Sequence, residues 1–481
     1  MASPMQIPTR VPFVISPENR DTSTAKDAKL VNCYVEIDQD RNVHLFRRPG
    51  MLEWGVPPAQ TAVGMGTYWW NGSVYSIFNY GSGGAYLYKN LSQVAAGLDA
   101  TGGVYSFNSI MGSDPKLVFQ NGKAAYAYDD TALVTGPLHT LDANYPQYTC
   151  KGIAYLDGYT FVLQHFFGTQ ITPAVIWGSV VNHVDGSTDW DPLDFITAQM
   201  TPDSGVYLAK QLVYVVCLKE WSTEFFYDAG NATGSPLASA MNLRLSYGCA
   251  TQDSVQTIAD VLFWVSNNRE ASNQVVMVDA ARLSVISTPE IDRLLRDADL
   301  TTVYSWHIKI DGHSFYVLTI KNNNLTIAYD INQNRWEQWT DVNGNYLPIV
   351  CSTRDQAGHT VLQHESNGIL YYGSTDYYTD NGQIIPVTAV TPRWDAGTSR
   401  KKQLSMMNFV MDMVPGGLMS VQVSDNDYQT WSQPRIVDYS NRYPNLIHCG
   451  TFRRRAWKFQ VMNNLPWRLE AAELQFDIGT L

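Results

Sequence analysis

Oxygen-bearing side chains near residue 330 are spaced like the first ligands of a calcium-binding loop. Three of them occupy alternate positions: Asp330, Asn332 and Asn334. However, Arg335 stands at the sixth position, where such a loop requires glycine, and Asp341 stands at the twelfth, where it requires glutamate. The segment fits better as a strand, a polar turn and a second strand, with Trp336 and Trp339 packed in the core. We therefore predict no metal site here.

Histidines and nucleophiles form no recognisable catalytic constellation. His307 and His313 flank Asp311-Gly312, but a two-residue hairpin loop does not place them opposite each other. His359 and His364 point to opposite faces of any strand. The sequence contains no GxSxG, GxxxxGK[ST], HExxH or GxGxxG motif. We predict no catalytic residue, no metal and no cofactor.

The stretch from Ser424 to Trp431 resembles the Asp-box of sialidase propellers, although Asn426 and Tyr428 replace its Asp and Gly. In that family the box is a hairpin turn remote from the catalytic centre, so a match would indicate fold rather than activity. A propeller-type carbohydrate-active enzyme, with acids and arginines converging in the propeller mouth, stays an alternative.

The densest basic cluster lies in GTFRRRAWKFQV near the C-terminus. Strand alternation places Arg454 and Lys458 on one face, and Arg453, Arg455 and Trp457 on the other. The cluster is either a solvated edge that charge protects from aggregation or a contact with an acidic neighbour in an assembly. The assembly hypothesis assigns an interface to Arg47, Arg48, Arg453, Arg454, Arg455 and Trp457.

Composition limits the class of protein. The chain of 481 residues is long enough for two or three folding units. Its 45 acidic and 33 basic residues give a net charge of −12, which is opposite in sign to the footprint of a tight DNA binder. Six scattered cysteines without ligand-like spacing, no signal peptide and no membrane-spanning run predict synthesis in a reducing cytoplasm and no membrane insertion.

Turn signals predict an all-β fold. Asn-Gly and Asp-Gly pairs favour type I′ hairpins, and they recur between apolar runs. These pairs are Asn71-Gly72, Asn121-Gly122, Asp157-Gly158, Asp311-Gly312, Asn343-Gly344, Asn367-Gly368 and Asn381-Gly382. Comparable units without this turn signal occur at 211–230 and 260–279, and together the units recur at an irregular period of roughly 35 to 55 residues from about 60 to 385, which suits propeller blades. One helix is predicted to start at Ser287-Thr288-Pro289, a hydroxyl cap followed by proline.

The predicted architecture has three parts. Residues 1–55 form an extended N-terminal arm, residues 56–388 a β-propeller-like domain of six or seven blades, and residues 389–481 a C-terminal β-sandwich. The two end segments are expected to lie together as a platform. Replacing Arg453 and Arg455 with glutamate is expected to leave the fold intact.

Several segments resemble the tail nozzle proteins of short-tailed (podovirus-type) phages, also called packaged-DNA stabilisation proteins. They are LVNCYVE, RRPG, VVCLKEWSTEFFYDAGN, SYGCATQDSV, VLFWVS, ISTPEID and RRRAWKFQV…PWRLEAAELQF, in the expected order. The resemblance implies a structural role for Asn32, Tyr34, Pro49, Gly50, Ser222, Glu224 and Phe226.

The resemblance also implies a function in the virion tail. The subunit would form a homo-oligomeric ring, usually six copies, that extends the DNA-ejection channel below the head-to-tail adaptor and helps to retain packaged DNA. Tail fibres or spikes and a plug or needle would be its further partners, and viral duplex DNA would pass without tight binding. A tail-fibre or receptor-binding component is a second alternative.

Overall fold

A computed structural model describes residues 9–13, 27–38, 42–56, 62–81, 83–132, 136–167, 170–270 and 272–479. Backbone contacts divide the chain into two compact units. Unit 1 comprises Met1–Leu52, Lys309–Leu347 and Gly373–Leu481, and unit 2 comprises Glu53–Ile308 and Pro348–Tyr372. The predicted boundaries at 55/56 and 388/389 stay a prediction, because units defined by contacts need not be the units that fold independently.

Strands account for nearly all of the regular structure. The first are β1 (Thr9–Arg10), β2 (Lys29–Val31), β3 (Cys33–Ile37), β4 (Val43–Arg47) and β5 (Gly50–Gly55). Next come β6 (Val63–Trp70), β7 (Ser73–Asn79), β8 (Ala85–Lys89), β9 (Ser92–Leu98), β10 (Ser106–Ile110), β11 (Lys116–Gln120), β12 (Ala125–Tyr128), β13 (Ala154–Leu156), β14 (Tyr159–Phe167), β15 (Gln170–Ser179), β16 (Trp190–Ala198), β17 (Gly205–Gln211), β18 (Tyr214–Lys219), β19 (Thr223–Asp228), β20 (Leu237–Ser239), β21 (Gly248–Cys249), β22 (Gln256–Ile258), β23 (Val261–Asn267), β24 (Gln274–Asp279) and β25 (Arg282–Val285).

The second half of the chain continues in the same way. Its strands are β26 (Val303–Ile310), β27 (His313–Ile320), β28 (Leu325–Asp330), β29 (Arg335–Trp339), β30 (Ile349–Arg354), β31 (Thr360–His364), β32 (Leu370–Ser374), β33 (Thr379–Asp380), β34 (Gln383–Ile384), β35 (Val387–Val390), β36 (Lys402–Met411), β37 (Leu418–Ser424), β38 (Arg435–Asp438), β39 (Asn445–Ile447), β40 (Thr451–Phe452), β41 (Ala456–Val461) and β42 (Arg468–Ile478). The helices are α1 (Leu138–Leu141) and α2 (Pro289–Arg296), with short 3-10 turns at Gln252–Ser254, Leu300–Thr302 and Lys321–Asn323.

Unit 2 is a six-bladed β-propeller, which confirms the predicted all-β fold. Its antiparallel sheets are β6–β9, β10–β12, β13–β16, β17–β20, β21–β25 and β30–β32. Blades pack through both faces, because successive residues of one strand enter different cores. Phe225, for example, packs in the core formed with Trp264, whereas Phe226 packs in the core formed with Leu163.

The turns and the helix form where the residue types favour them. Asn71-Gly72 and Asp157-Gly158 both adopt positive φ at the two central residues of a hairpin, as type I′ turns require. Pro289 occupies the first turn of α2, and the Thr288 side chain accepts a hydrogen bond from the Ile291 amide, so the predicted helix start is confirmed.

Unit 1 contains two sheets that pack face to face. One contains β3, β4, β42, β36 and β39 in spatial order, and within unit 1 the other runs β27, β28, β29, β2, β35, β41, β37, β38. Leu45, Phe409 and Leu469 of the first sheet and Val421 and Phe459 of the second share one core. The sandwich therefore combines C-terminal strands with strands from the N-terminal segment; residues 1–8 and 14–26 of the predicted arm lie outside the described residues.

Candidate functional site

The second arginine of RRPG lies in the interior of unit 1. Arg48 is 1% exposed and donates to both carboxylate oxygens of Asp380, with one N–O distance of 3.1 Å. It also donates to the backbone carbonyl of Thr340 at 3.1 Å, and its guanidinium stacks 5.8 Å from the ring of Trp339. This side chain joins three segments that are far apart in sequence.

Asn32 completes the same network from the LVNCYVE segment. Its Oδ1 accepts from Arg48 Nε at 2.9 Å and from the Thr340 amide at 2.8 Å. Its Nδ2 donates to Thr340 Oγ1 at 2.8 Å and to the Pro386 carbonyl at 2.9 Å. The backbone at Asn32 has φ 55°, a region that asparagine tolerates better than most residues. Asparagine therefore satisfies both the backbone and every polar atom at this position.

The other residues of RRPG also make contacts within unit 1. Arg47 donates to the carbonyls of Tyr378 and Ile385, each at 2.8 Å, and burial together with neighbouring Arg48 lowers its pKa to about 10. The Pro49 carbonyl accepts from Arg48 at 3.1 Å. A side chain on Gly50 would place its Cβ 2.3 Å from a backbone oxygen, so only glycine fits there.

Tyr34 packs in an aromatic cluster beside a buried acid. Its ring stacks on Phe46 at 5.5 Å and meets His313 edge-on at 5.0 Å. Glu337 nearby is fully buried and accepts hydrogen bonds of 3.3 Å from the Val35 amide and 3.4 Å from the Trp339 indole. Burial, reinforced by the charge of neighbouring Asp330, holds the pKa of Glu337 well above its usual value. The surroundings therefore favour the protonated form of this carboxyl.

The Ser-Thr-Glu segment of unit 2 surrounds a buried lysine. Lys219 Nζ lies 2.6 Å from Glu224 and 2.8 Å from Asp203, and all three side chains are at most 1% exposed. Ser222 Oγ donates to Asp203 at 3.0 Å. Burial raises the pKa of Asp203, but the hydrogen bonds from Lys219 and Thr201 outweigh it and hold the pKa below its usual value. With Phe226 in the adjoining core, the segment stabilises the blade interior.

The C-terminal basic cluster is divided between surface and interior. Arg455 is 4% exposed and makes a bidentate pair with Asp425 at 2.7 and 2.8 Å. Exposed Arg454 pairs with Asp427 at 2.7 Å. Exposed Arg453 donates to the Ser399 carbonyl at 3.1 Å. The loop that resembles an Asp-box therefore supplies the carboxylates that orient Arg454 and Arg455.

These positions correct part of the interface hypothesis. Arg47, Arg48, Arg455 and Trp457 are buried, so they cannot contact another subunit without rearrangement of unit 1. The guanidinium groups of the three arginines donate hydrogen bonds to carbonyls and carboxylates of the same chain. For exposed Arg453 and Arg454 the interface stays a prediction.

A cavity of about 850 Å³ lies in unit 2 and is lined by inner strands of several blades. Tyr68, Trp69 and Tyr207 contribute aromatic surface to it. Burial lowers the pKa of His307 in its wall to about 4, so the imidazole is neutral at pH 7. Among the described lining residues Asp253 is the one carboxylate, whereas glycoside hydrolysis uses a pair.

Neither a metal-binding cluster nor a membrane-spanning helix occurs among the described residues. Within these residues no group of three or more His, Cys, Asp or Glu side chains is placed to hold a metal ion. None of the described helices has the length and apolar character needed to span a bilayer.

Comparison with known proteins gives one family match. The family model described as "Bacteriophage P22 Gp10, beta-propeller" matches residues 55–347. No curated protein matches the sequence. Among solved structures, the designed protein Ika8 is 7% identical, with 67% of this chain and 99% of that chain covered and a TM-score of 0.34. A chain in the structure of S. cerevisiae Dbp5 bound to Nup159 and Gle1 is 10% identical, with 72% of this chain and 99% of that chain covered and a TM-score of 0.36.

Proposed function

Because the chain belongs to the Phage_stabilise family, described as Bacteriophage P22 Gp10, beta-propeller, and is a phage structural protein, we propose that it is a tail nozzle subunit. Copies of the subunit form a closed ring, with six as the expected number. The ring extends the ejection channel below the head-to-tail adaptor and helps to retain packaged DNA. The observation that carries the proposal is the family match across 55–347, which covers most of the propeller.

The arrangement of the motif residues supports a structural role. Asn32 and Arg48 join separate strands of unit 1, and Lys219, Asp203 and Glu224 fill a blade interior in unit 2. Each group is enclosed by its own unit, so substrate could not reach it. Such satisfied networks rigidify a core and specify its packing, as a structural subunit requires.

The charge of the chain supports a conduit for DNA rather than a clamp. Duplex DNA that must pass quickly should meet few phosphate-binding groups, and a net charge of −12 disfavours multiple phosphate contacts. We propose that the ring retains DNA by closing the channel, together with a plug or needle, and not by binding the duplex tightly.

Electron microscopy of virions tests this assignment. We expect density for the chain in a closed ring directly below the adaptor, and we expect particles that lack the chain to fill with DNA and then lose it. Location at fibre tips, or a three-fold arrangement, would contradict the proposal. Stable DNA retention in particles without the chain would contradict the retention role specifically.

A further inference from the structure

A basic patch lies on unit 1 around the loop that precedes β36. Arg453 donates to the Ser399 carbonyl, and the Gly479 amide donates to the Lys401 carbonyl, so two loops converge here. Ile478, which is 48% exposed, pairs with Lys402 at the end of β36. The exposed cations of the patch are Arg400, Lys401, Arg453 and Arg454.

The charges of this patch are only partly neutralised within the subunit. Asp427 pairs with Arg454 and Arg393 at 2.7 and 2.6 Å. Asp395 and Asp477 are the other acids beside it. Among the described residues, none of Arg400, Lys401 and Arg453 has a carboxylate within 4.0 Å. Three cations therefore remain available to an acidic surface.

An acidic and apolar edge lies on unit 2. The outer strand β16 of the third blade exposes Leu193 to 72% and Phe195 to 42%. Asp191 and Asp194 lie beside them, and burial together with the charge of Asp191 raises the pKa of Asp194. Within the described chain no lysine or arginine pairs with these two acids. Pro192 and the two acids protect the backbone of this strand from pairing with another strand, but the exposed Leu193 and Phe195 remain a surface for side-chain contacts with another chain.

The two surfaces complement each other in charge and in apolar character, and both belong to the same chain. We propose that the basic patch of one copy docks on the β16 edge of the neighbouring copy. A head-to-tail contact of this kind covers both surfaces in every subunit and closes into a ring when its rotation permits. A foreign partner on one surface would leave the other uncovered. The inference rests on the proposed ring and identifies the surfaces that build it.

Charge reversal and its rescue test the contact. One variant carries Lys401→Glu and Arg453→Glu, a second carries Asp191→Lys and Asp194→Lys, and a third combines all four. Each is supplied as the full chain during infection by a phage that lacks a functional copy, and rings in tails are counted by electron microscopy. We expect about a tenfold loss of rings for each double variant, because like charges then meet. The combined variant should recover most of the loss.

Matched controls separate docking from folding. Glu270→Lys and Arg282→Asp change charge at exposed positions outside both surfaces and should leave ring yield unchanged. Thermal unfolding of each purified variant should match the parent chain. Normal ring yield in both double variants, or failure of the combined variant to recover although it folds, would overturn the docking surfaces. If the parent chain itself forms no ring in virions, the proposed function fails instead.

Discussion

At the scale of single residues, the pair of Arg48 with Asp380 should matter far more than an exposed ion pair. Replacing Arg48 with leucine removes the cationic partner of Asp380 and one of the two donors to Asn32 Oδ1, the other being the Thr340 amide. We expect a loss of about 3–5 kcal/mol in the free energy of unfolding, because breaking a buried pair strands a charge. Arg454→Leu breaks an exposed pair and should cost no more than about 1 kcal/mol. Urea unfolding compares the two, and equal losses would contradict the role of Arg48.

Glu337 should make stability depend on pH in the direction opposite to an ordinary carboxylate. The pKa of Glu337 is raised in the folded state. Its contribution to the free energy of unfolding is therefore fully present below the pKa that Glu337 has in the unfolded chain, and it is lost as pH rises through the pKa in the folded protein. Glu337→Gln should therefore unfold at a higher temperature than the parent at pH 8, with a smaller difference at pH 4. Exposed Glu36→Gln is the matched control. If the difference in unfolding temperature between Glu337→Gln and the parent did not change with pH, the raised pKa of Glu337 would be contradicted.

The residue pattern predicted the faces only in part and could not predict what covers them. Alternation placed Arg453, Arg455 and Trp457 on one face, but Arg455 and Trp457 are buried whereas Arg453 is exposed. However, Arg455 pairs at 2.7 Å with Asp425, which lies in the loop between β37 and β38. No local sequence pattern reveals a pairing between residues that far apart. The expectation that replacing Arg453 and Arg455 with glutamate leaves the fold intact stays a prediction, but the buried position of Arg455 argues against it, because a glutamate there would face the carboxylate of Asp425. Lys219 was missed for the same reason, because Asp203 approaches it from a different segment.

At the scale of elements, four of the seven Asn-Gly and Asp-Gly pairs have the positive φ at both residues that a type I′ turn requires, whereas Asn121, Asn343 and Asn367 do not, and turns without this signature were not predictable. Asn71-Gly72 carries the type I′ signal, whereas the β24–β25 hairpin turns through Ala280 and Ala281 at φ 45° and 61°. Alanine gives no signal for a left-handed backbone, because its Cβ disfavours it. Pairings between distant segments were equally hidden: β2 lies between β29 and β35, and sequence periodicity cannot rank partners that far apart.

The alanine turn offers a direct test of this strain. Ala280→Asn with Ala281→Gly gives the residues that a type I′ turn prefers, and we expect the free energy of unfolding to rise by about 1 kcal/mol. The reverse exchange, Asn381→Ala with Gly382→Ala, introduces alanine into a turn with φ 47° and 85° and should destabilise the chain. Chemical unfolding of both variants measures the difference. A loss of stability in the Ala280 and Ala281 variant would show that the turn is not strained.

At the scale of the whole molecule, each unit is assembled from segments that are separate in sequence. Unit 1 takes strands from the N-terminal segment, from 309–347 and from the C-terminal segment, so β4 pairs with β42. The class of fold followed from turn spacing and strand composition, because those signals are local. The division into units could not be predicted from these local signals, because it depends on which strands pair across large separations in sequence. The platform of the two end segments against an adaptor stays a prediction that locating unit 1 in virions would test.

Net charge leads to a prediction for the intact protein and duplex DNA. Affinity for DNA comes largely from counterion release and grows with the number of phosphates that lysine and arginine neutralise. The chain has 45 acidic residues against 33 basic ones, so most approaches of DNA are repelled. We expect a Kd no tighter than about 10⁻⁶ M at physiological salt, as for non-specific binding, with a shallow salt dependence. A mobility-shift titration at two salt concentrations measures both quantities.

The variant with Lys401→Glu and Arg453→Glu should bind DNA with the same affinity within error, because the basic patch is proposed to contact protein. Nanomolar binding with a steep salt slope that this variant abolishes would identify the patch as a DNA contact and remove the case for a passive channel wall.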